Sequence, residues 1–400
     1  MDQITININT YKRPSLTPFL FDGLDSELNN IAQGIKNFFT PLNRSCHIEK
    51  KKIDTKRIPG KFNIRYNHDL NTYMVDLYIG KENQRVSVIL DTTQIDLLIP
   101  TPCCINTGCL QDPNYGFYYF KNSSSCIVPL PNQSNVKCQN EDCYTISTLQ
   151  SPEDEKMIQN YGAIKKVTVY DYVDFVKNYD SKNRKRTKMN LILGFLNHER
   201  YLAGSYIPPT LGLAPDNVLH QDFIFLDLYN NFLSFTPRSG GIKLINDTNV
   251  SNAFYSGMVD MVTLYQMKLN RLPLSVIFDT GSNMIFLPHH LADSILSEIR
   301  NHSNISFDSG FWNNELVQIN SFDRVVLPDV VFHFRTEKGF YKWILKKEDY
   351  VINRDSKYEL LITRNNNSKE IRFGNRAMQG HILGLEFDNE KKESNVYVYQ

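Results

Sequence analysis

The feature that most constrains this chain occurs twice. Residues 88–100 read VILDTTQIDLLIP and residues 276–288 read VIFDTGSNMIFLP. The two align without a gap. Val88/Val276, Ile89/Ile277, Asp91/Asp279, Thr92/Thr280 and Pro100/Pro288 are identical, and Leu90/Phe278, Leu97/Ile285, Leu98/Phe286 and Ile99/Leu287 are similar. The aspartates lie 188 residues apart in a chain of 400. A duplicated β lobe, each copy delivering one Asp at the end of an apolar strand, explains this spacing.

Such a pair has a definite chemistry. An apolar strand ending in Asp-Thr-Gly sets a carboxylate at the edge of a core, and glycine lets another chain approach closely. If the two copies pack about a two-fold axis, the carboxylates meet and share one proton. The ionised partner can then take a proton from water while the protonated one polarises a carbonyl. That suffices for peptide hydrolysis with no metal and no other cofactor. A single Asp-Thr-Gly is an ordinary turn. Two copies within one apolar frame are what distinguish this chain.

The remainder of the chain fits two β lobes. Twenty-two Tyr and 24 Phe favour strands. TYMVDLYIG and RVSVILDTT read as strands joined by the polar turn KENQ, and KKVTVYDYVDFV as another alternating strand. MNLILGFL, PTLGLAP, RVVLPDVVFHF, GFYKWILKKEDYVI and YELLITR continue the style. Residues 289–302 carry Leu291, Ile295, Leu296 and Ile299 at helical spacing and predict a short surface helix; another amphipathic helix is expected near 24–39. An all-β fold, mainly antiparallel, follows. Its expected parts are an N-terminal extension over 1–65, a lobe over 66–237 with Asp91, and a lobe over 238–400 with Asp279.

The formal charge of +1 asks for neither nucleic acid nor an anionic membrane. No run of roughly 18 apolar residues predicts a transmembrane helix. The first 24 residues lack the charged and apolar regions of a signal peptide. All seven cysteines fall within the first 143 residues, five of them between 103 and 138. Clustering of this kind suggests a stapled loop in an oxidising compartment. Zinc is the competing reading, although the cluster holds neither His nor a C-x2-C spacing. Sequons at Asn122, Asn132, Asn249, Asn301 and Asn304 are weak support for secretion in so Asn-rich a chain.

From about residue 65 to 400 the order of these pieces resembles the pepsin-like aspartic protease family. YMVDLYIG followed by VSVILDT resembles the hairpin leading to the first catalytic Asp, and VIFDTGSNMIFLP the complete second motif. IQNYG (158–162) is similar to the flap, with Tyr161 as its tyrosine and Gly162 beside it. Residues 192–215 and 371–388 resemble the hydrophobic-hydrophobic-Gly elements, Gly374 marking the second. The resemblance implies a bilobal fold with pseudo-two-fold symmetry and an Asp91/Asp279 dyad. It also implies Thr92 and Thr280 tying the loops together, with Thr93, Gly281 and Ser282 supporting them. The partner would be a peptide or protein substrate bound as an extended strand in the cleft of a monomer. The compartment would be secretory, vacuolar/lysosomal or extracellular. Cys104 and Cys109 stand where the family commonly has a small disulfide loop, and Cys126, Cys138 and Cys143 resemble the Cys-rich insertion of the nepenthesin-like branch. The basic stretch 50–57 reads either as part of a propeptide or as a solvated linker. The basic run 182–188 reads as a solvated loop.

The first loop departs from the family pattern. Thr93 stands where the family has Gly, and its branched Cβ is expected to crowd the site. Gln94 replaces a Ser, and Leu98 replaces a Trp that supports the flap tyrosine. Residues 161–171 lack the flap's further glycines. Two functions follow: an endopeptidase with an altered first loop, or a pepsin-fold protein of weak or lost catalysis used for binding or inhibition.

Overall fold

The computed structural model describes residues 58–68, 71–105, 115–130, 135–139, 141, 157–158, 162–177, 186–195, 208–246, 253–265, 267–270, 273–303, 317–319, 327–354 and 357–400. All belong to one compact unit, Arg57–Gln400. The expected helix near 24–39, the basic stretch 50–57 and Tyr161 lie outside these residues. The architecture is all-β with a few short helices, as the alternating patterns predict.

The first half builds on β1 (Lys61–Asn67), β2 (Thr72–Ile79), β3 (Gln84–Asp91) and β4 (Leu97–Pro100). The turn after β2 uses Gly80 and Asn83, both at positive φ, and returns the chain antiparallel, with Val75 opposite Val88. β5 (Gly162–Asp174) and β6 (Arg186–Phe195) form a long hairpin, so the second strand begins within the basic run rather than at Met189. Arg186 is held there by a hydrogen bond to the Ser125 carbonyl and by stacking over Tyr172. β7 (Thr210–Gly212) threads between β3 and β4, parallel to one and antiparallel to the other. β4 continues parallel to β6. β8 (Phe223–Asp227) closes this half.

The second half repeats the arrangement. β9 (Ser256–Leu264) pairs antiparallel with β10 (Leu274–Phe278), and β11 (Ile285–Pro288) follows the second Asp loop. Helix α1 (His289–Ser303) comes next, with Leu291, Ile295, Leu296 and Ile299 buried as their spacing requires. β12 (Val330–Thr336) and β13 (Gly339–Leu345) form a hairpin. β14 (Ile362–Asn365) runs parallel to β11, as β6 does to β4. β15 (Glu370–Phe373) threads between β10 and β11 as β7 does between β3 and β4. A one-turn helix, α2 (Asn375–Met378), leads to β16 (Ile382–Asp388) and β17 (Glu393–Tyr399). β16 pairs antiparallel with β8, Phe225 facing Gly384, so the two halves share a sheet.

Burial follows the apolar alternation into a continuous core beneath both Asp loops. Below the second loop it is aromatic. Phe278 contacts Phe334, Trp343 and Phe373 with ring centroids 5.9, 5.6 and 6.2 Å away. Below the first it is aliphatic, with Leu90, Leu97, Leu211 and Leu213 fully buried. No helix among the described residues is long and apolar enough to cross a membrane.

Candidate active site

Each Asp loop is fixed from behind by its threading strand. In the first, the Leu213 N–H donates to the Asp91 carbonyl at 2.8 Å and the Gly212 N–H to the Asp96 carbonyl at 3.0 Å. In the second, the Asp279 N–H donates to the Phe373 carbonyl at 2.9 Å and the Gly374 N–H to the Met284 carbonyl at 3.0 Å. A Cβ on Gly212 would lie 2.5 Å from the Gln94 carbonyl oxygen, and one on Gly374 2.4 Å from that of Met284. Only glycine permits either backbone to come so close. The hydrophobic-hydrophobic-Gly elements therefore sit under the loops in matched positions.

The loops face each other and are cross-tied. The Thr92 N–H donates to Thr280 Oγ1 at 3.0 Å, and the Thr280 N–H donates to Thr92 Oγ1 at 3.0 Å. Each hydroxyl passes its own proton to the opposite half. Thr92 Oγ1 donates to the Phe278 carbonyl at 2.6 Å, and Thr280 Oγ1 to the Leu90 carbonyl at 2.9 Å. Every donor and acceptor in this closed set is buried, so the site admits few alternative arrangements.

The cross-ties bring both carboxylates to one place. Asp91 and Asp279 are each 2% exposed. The Gly281 N–H donates to Asp279 Oδ1 at 3.0 Å, while a Cβ on the same glycine would lie 2.3 Å from Asp91 Oδ2. Asp91 therefore rests on the residue whose N–H holds Asp279. Burial, and after it the negative charge of Asp91, raises the Asp279 pKa from the ordinary carboxylate range to about 7; Arg372 opposes this only in part. A buried carboxyl that keeps its proton to near neutrality, beside a second carboxylate, can act as an acid while its neighbour acts as a base.

The altered first loop differs from expectation in a specific way. Thr93 does carry a side chain where its counterpart Gly281 has none. Yet that side chain is engaged: both the Thr93 N–H, at 2.8 Å, and its hydroxyl, at 2.7 Å, donate to Asp91 Oδ1. Gln94 enters through its backbone, its carbonyl accepting the Ala214 N–H at 2.9 Å. Ser282, at the matching place in the second loop, accepts the Met284 N–H on its hydroxyl. Leu98 is buried in β4 opposite Thr210.

Gly162 begins β5 and pairs antiparallel with Ile158; residues 159–161 lie outside the described residues. Tyr161, Cys109 and the Cys104 side chain fall outside the described residues. Cys103, next to Cys104, is disulfide-bonded, and a second disulfide joins Cys126 to Cys138. One site residue went unread in the sequence. Asn375 is fully buried, and its Nδ2 donates to the Thr280 carbonyl at 2.6 Å and the Asn71 carbonyl at 3.3 Å. Its position directly after Gly374 is the only signal that could have marked it.

No family model matches the chain. Curated relatives do. A plasmepsin V of Plasmodium falciparum is 28% identical over 134 residues, which cover 32% of this chain and 20% of that protein. Pepsin A of Gallus gallus is 21% identical over 307 residues, covering 71% of this chain and 72% of the relative. Secreted aspartic protease 1 of Candida albicans is 24% identical over 289 residues, with coverage of 64% and 63%. The chain thus spans one fifth of the length of plasmepsin V and nearly three quarters of that of pepsin A.

Proposed function

We propose that this chain, a member of the pepsin-like aspartic protease family by its fold and relatives, is an endopeptidase whose dyad is Asp91 and Asp279. The observation that carries the reading is the seating of Asp91 on Gly281, the residue that holds Asp279. Two buried carboxylates so placed share one proton, and burial together with the negative charge of Asp91 raises the Asp279 pKa.

The chemistry then runs as follows. Asp91 accepts a proton from a water whose oxygen bonds to the scissile carbonyl carbon, while Asp279 passes its proton to the carbonyl oxygen. The gem-diol collapses, a proton moves to the amide nitrogen, and the C–N bond breaks. One proton stays on the dyad for the next cycle. Because the carboxyls sit in a cross-tied backbone frame, they need little reorganisation as charge moves.

The substrate is a peptide or protein segment lying extended in a cleft between lobes 66–237 and 238–400, with apolar side chains about the scissile bond. Tyr161, by its resemblance to the flap tyrosine of the family, closes over it and excludes water. The basic stretch 50–57 is read as part of a removable propeptide, the other reading being a solvated linker. A secretory or extracellular compartment suits the disulfides and the name of the Candida relative.

The test is turnover of a quenched fluorescent peptide library by the full chain, before and after acid incubation, between about pH 4 and 7. Cleavage blocked by a statine-type inhibitor is expected. Absence of any inhibitor-sensitive cleavage sinks the enzyme reading. Asp91→Ala and Asp279→Ala should each abolish turnover in folded protein; near-wild-type activity in either would refute the dyad.

A further inference from the structure

The second Asp loop has a hydroxyl at its fourth position, Ser282. The first has Gln94 there, which carries no hydroxyl, and Thr93 one residue earlier, whose hydroxyl donates to Asp91. We propose that the Thr93 hydroxyl is a positioning group for Asp91, supplying from the third place in the loop the hydroxyl donor that the fourth place lacks. This rests on the protease reading above and adds a residue to it.

The geometry is specific to the first loop. Asp91 Oδ1 receives two donors from one residue, the backbone N–H at 2.8 Å and Oγ1 at 2.7 Å. From the matching residue, Gly281, Asp279 Oδ1 receives a single N–H at 3.0 Å. The two short bonds to Oδ1 fix the plane of the Asp91 carboxylate and hold Oδ2 over Gly281, on the side of the second loop. Both donors favour the ionised form, the form a general base needs. The mirror-image device in the second loop would displace Asp91, because a Cβ on Gly281 would lie 2.3 Å from Asp91 Oδ2. The two loops are therefore not interchangeable, although the dyad they hold has two-fold form. Thr93 is no mere obstacle left by the loss of a glycine, since its side chain is bonded to the carboxylate it was expected to crowd.

Three variants of the full chain separate the roles. Thr93→Val keeps the shape and removes the hydroxyl, Thr93→Ser keeps the hydroxyl and removes the methyl, and Thr93→Gly removes both. The readout is the acid limb of the kcat/KM–pH profile, which reports protonation of the base. A hydrogen bond to a charged group is worth enough to move it by about one pH unit. Thr93→Val and Thr93→Gly should raise the limb by about that amount, and Thr93→Ser should leave it at the wild-type position. A Thr93→Val limb that coincides with wild type overturns the proposal, as does a Thr93→Ser limb that moves equally far. If Thr93→Val does not fold, Thr93→Gly against Thr93→Ser makes the same comparison. A carbon-13 titration of the Asp91 carboxyl, assigned by its loss in Asp91→Asn, repeats the measurement without turnover. Wild-type protein that cleaves nothing would therefore refute the protease reading, and the titration would still decide the role of Thr93.

Discussion

Replacing Thr92 by Val removes one hydroxyl and almost no volume, so it tests the cross-tie without opening a cavity. That hydroxyl accepts the Thr280 N–H at 3.0 Å and donates to the Phe278 carbonyl at 2.6 Å, and all three residues are at most 1% exposed. The variant strands a backbone donor and a backbone acceptor in a site that water cannot reach. Each orphaned group costs about 1–3 kcal/mol. The two together predict a loss of about 2–5 kcal/mol, allowing for some relaxation of the loops. Thr92→Ser keeps the hydroxyl and should lose far less. Urea denaturation followed by tryptophan fluorescence measures this, since Trp343 is fully buried beneath the second loop, provided the variants share one m-value. Thr280→Val breaks the reciprocal pair, the Thr92 N–H and the Leu90 carbonyl, and should cost a similar amount. The double variant should cost less than the sum, because the second break acts on loops already parted. A Thr92→Val protein within about 0.5 kcal/mol of wild type, the scatter of ordinary surface changes, would refute the claim that these bonds hold the halves together.

Gly281→Ala would put a methyl carbon 2.3 Å from Asp91 Oδ2, so that carboxylate must move by about an ångström. A fall of about 100-fold in kcat/KM is expected, and retention of more than a tenth of wild-type activity would contradict the seating of Asp91 on this glycine. The basic limb of the pH–rate profile should lie near pH 7, where Asp279 loses its proton; a limb near pH 5 would show that the pair is less buried than described. Stability has a definite sign as well. The folded-state pKa of Asp279 is raised, so its contribution is fully present below about pH 4 and is lost as pH rises through about 7. Asp279→Asn should therefore gain stability over wild type at pH 8 and little at pH 4, by thermal melts at both values. Phe278→Ala removes a ring that touches Phe334, Trp343 and Phe373, and chemical denaturation should show a loss of about 3–5 kcal/mol.

Much of this protein is written in local pattern. Alternation marks β5 because one face of it is buried, apolar runs mark β2, β3 and β6 because both faces of those strands are largely buried, and helical spacing marks α1 because one stripe of it packs on the core. The repeat of 88–100 at 276–288 announces two matched loops because both strands must reach the core edge in the same register. What Thr93 does was not legible: the identity of the residue predicts a crowding Cβ, whereas its rotamer turns the hydroxyl onto Asp91. Asn375 was equally silent, since one of its partners is 304 residues away.

The amino-acid sequence by itself determined the strands, the duplication and the two acids, all of which follow from periodicity and from residue type. Tertiary structure alone decided that the acids rest on one glycine, that the Thr93 hydroxyl bonds Asp91, and that Asp279 keeps its proton to about pH 7. A carboxyl's proton affinity depends on which charges and how much water surround it. Those surroundings are assembled from chain segments nearly two hundred residues apart, and no local pattern records their meeting.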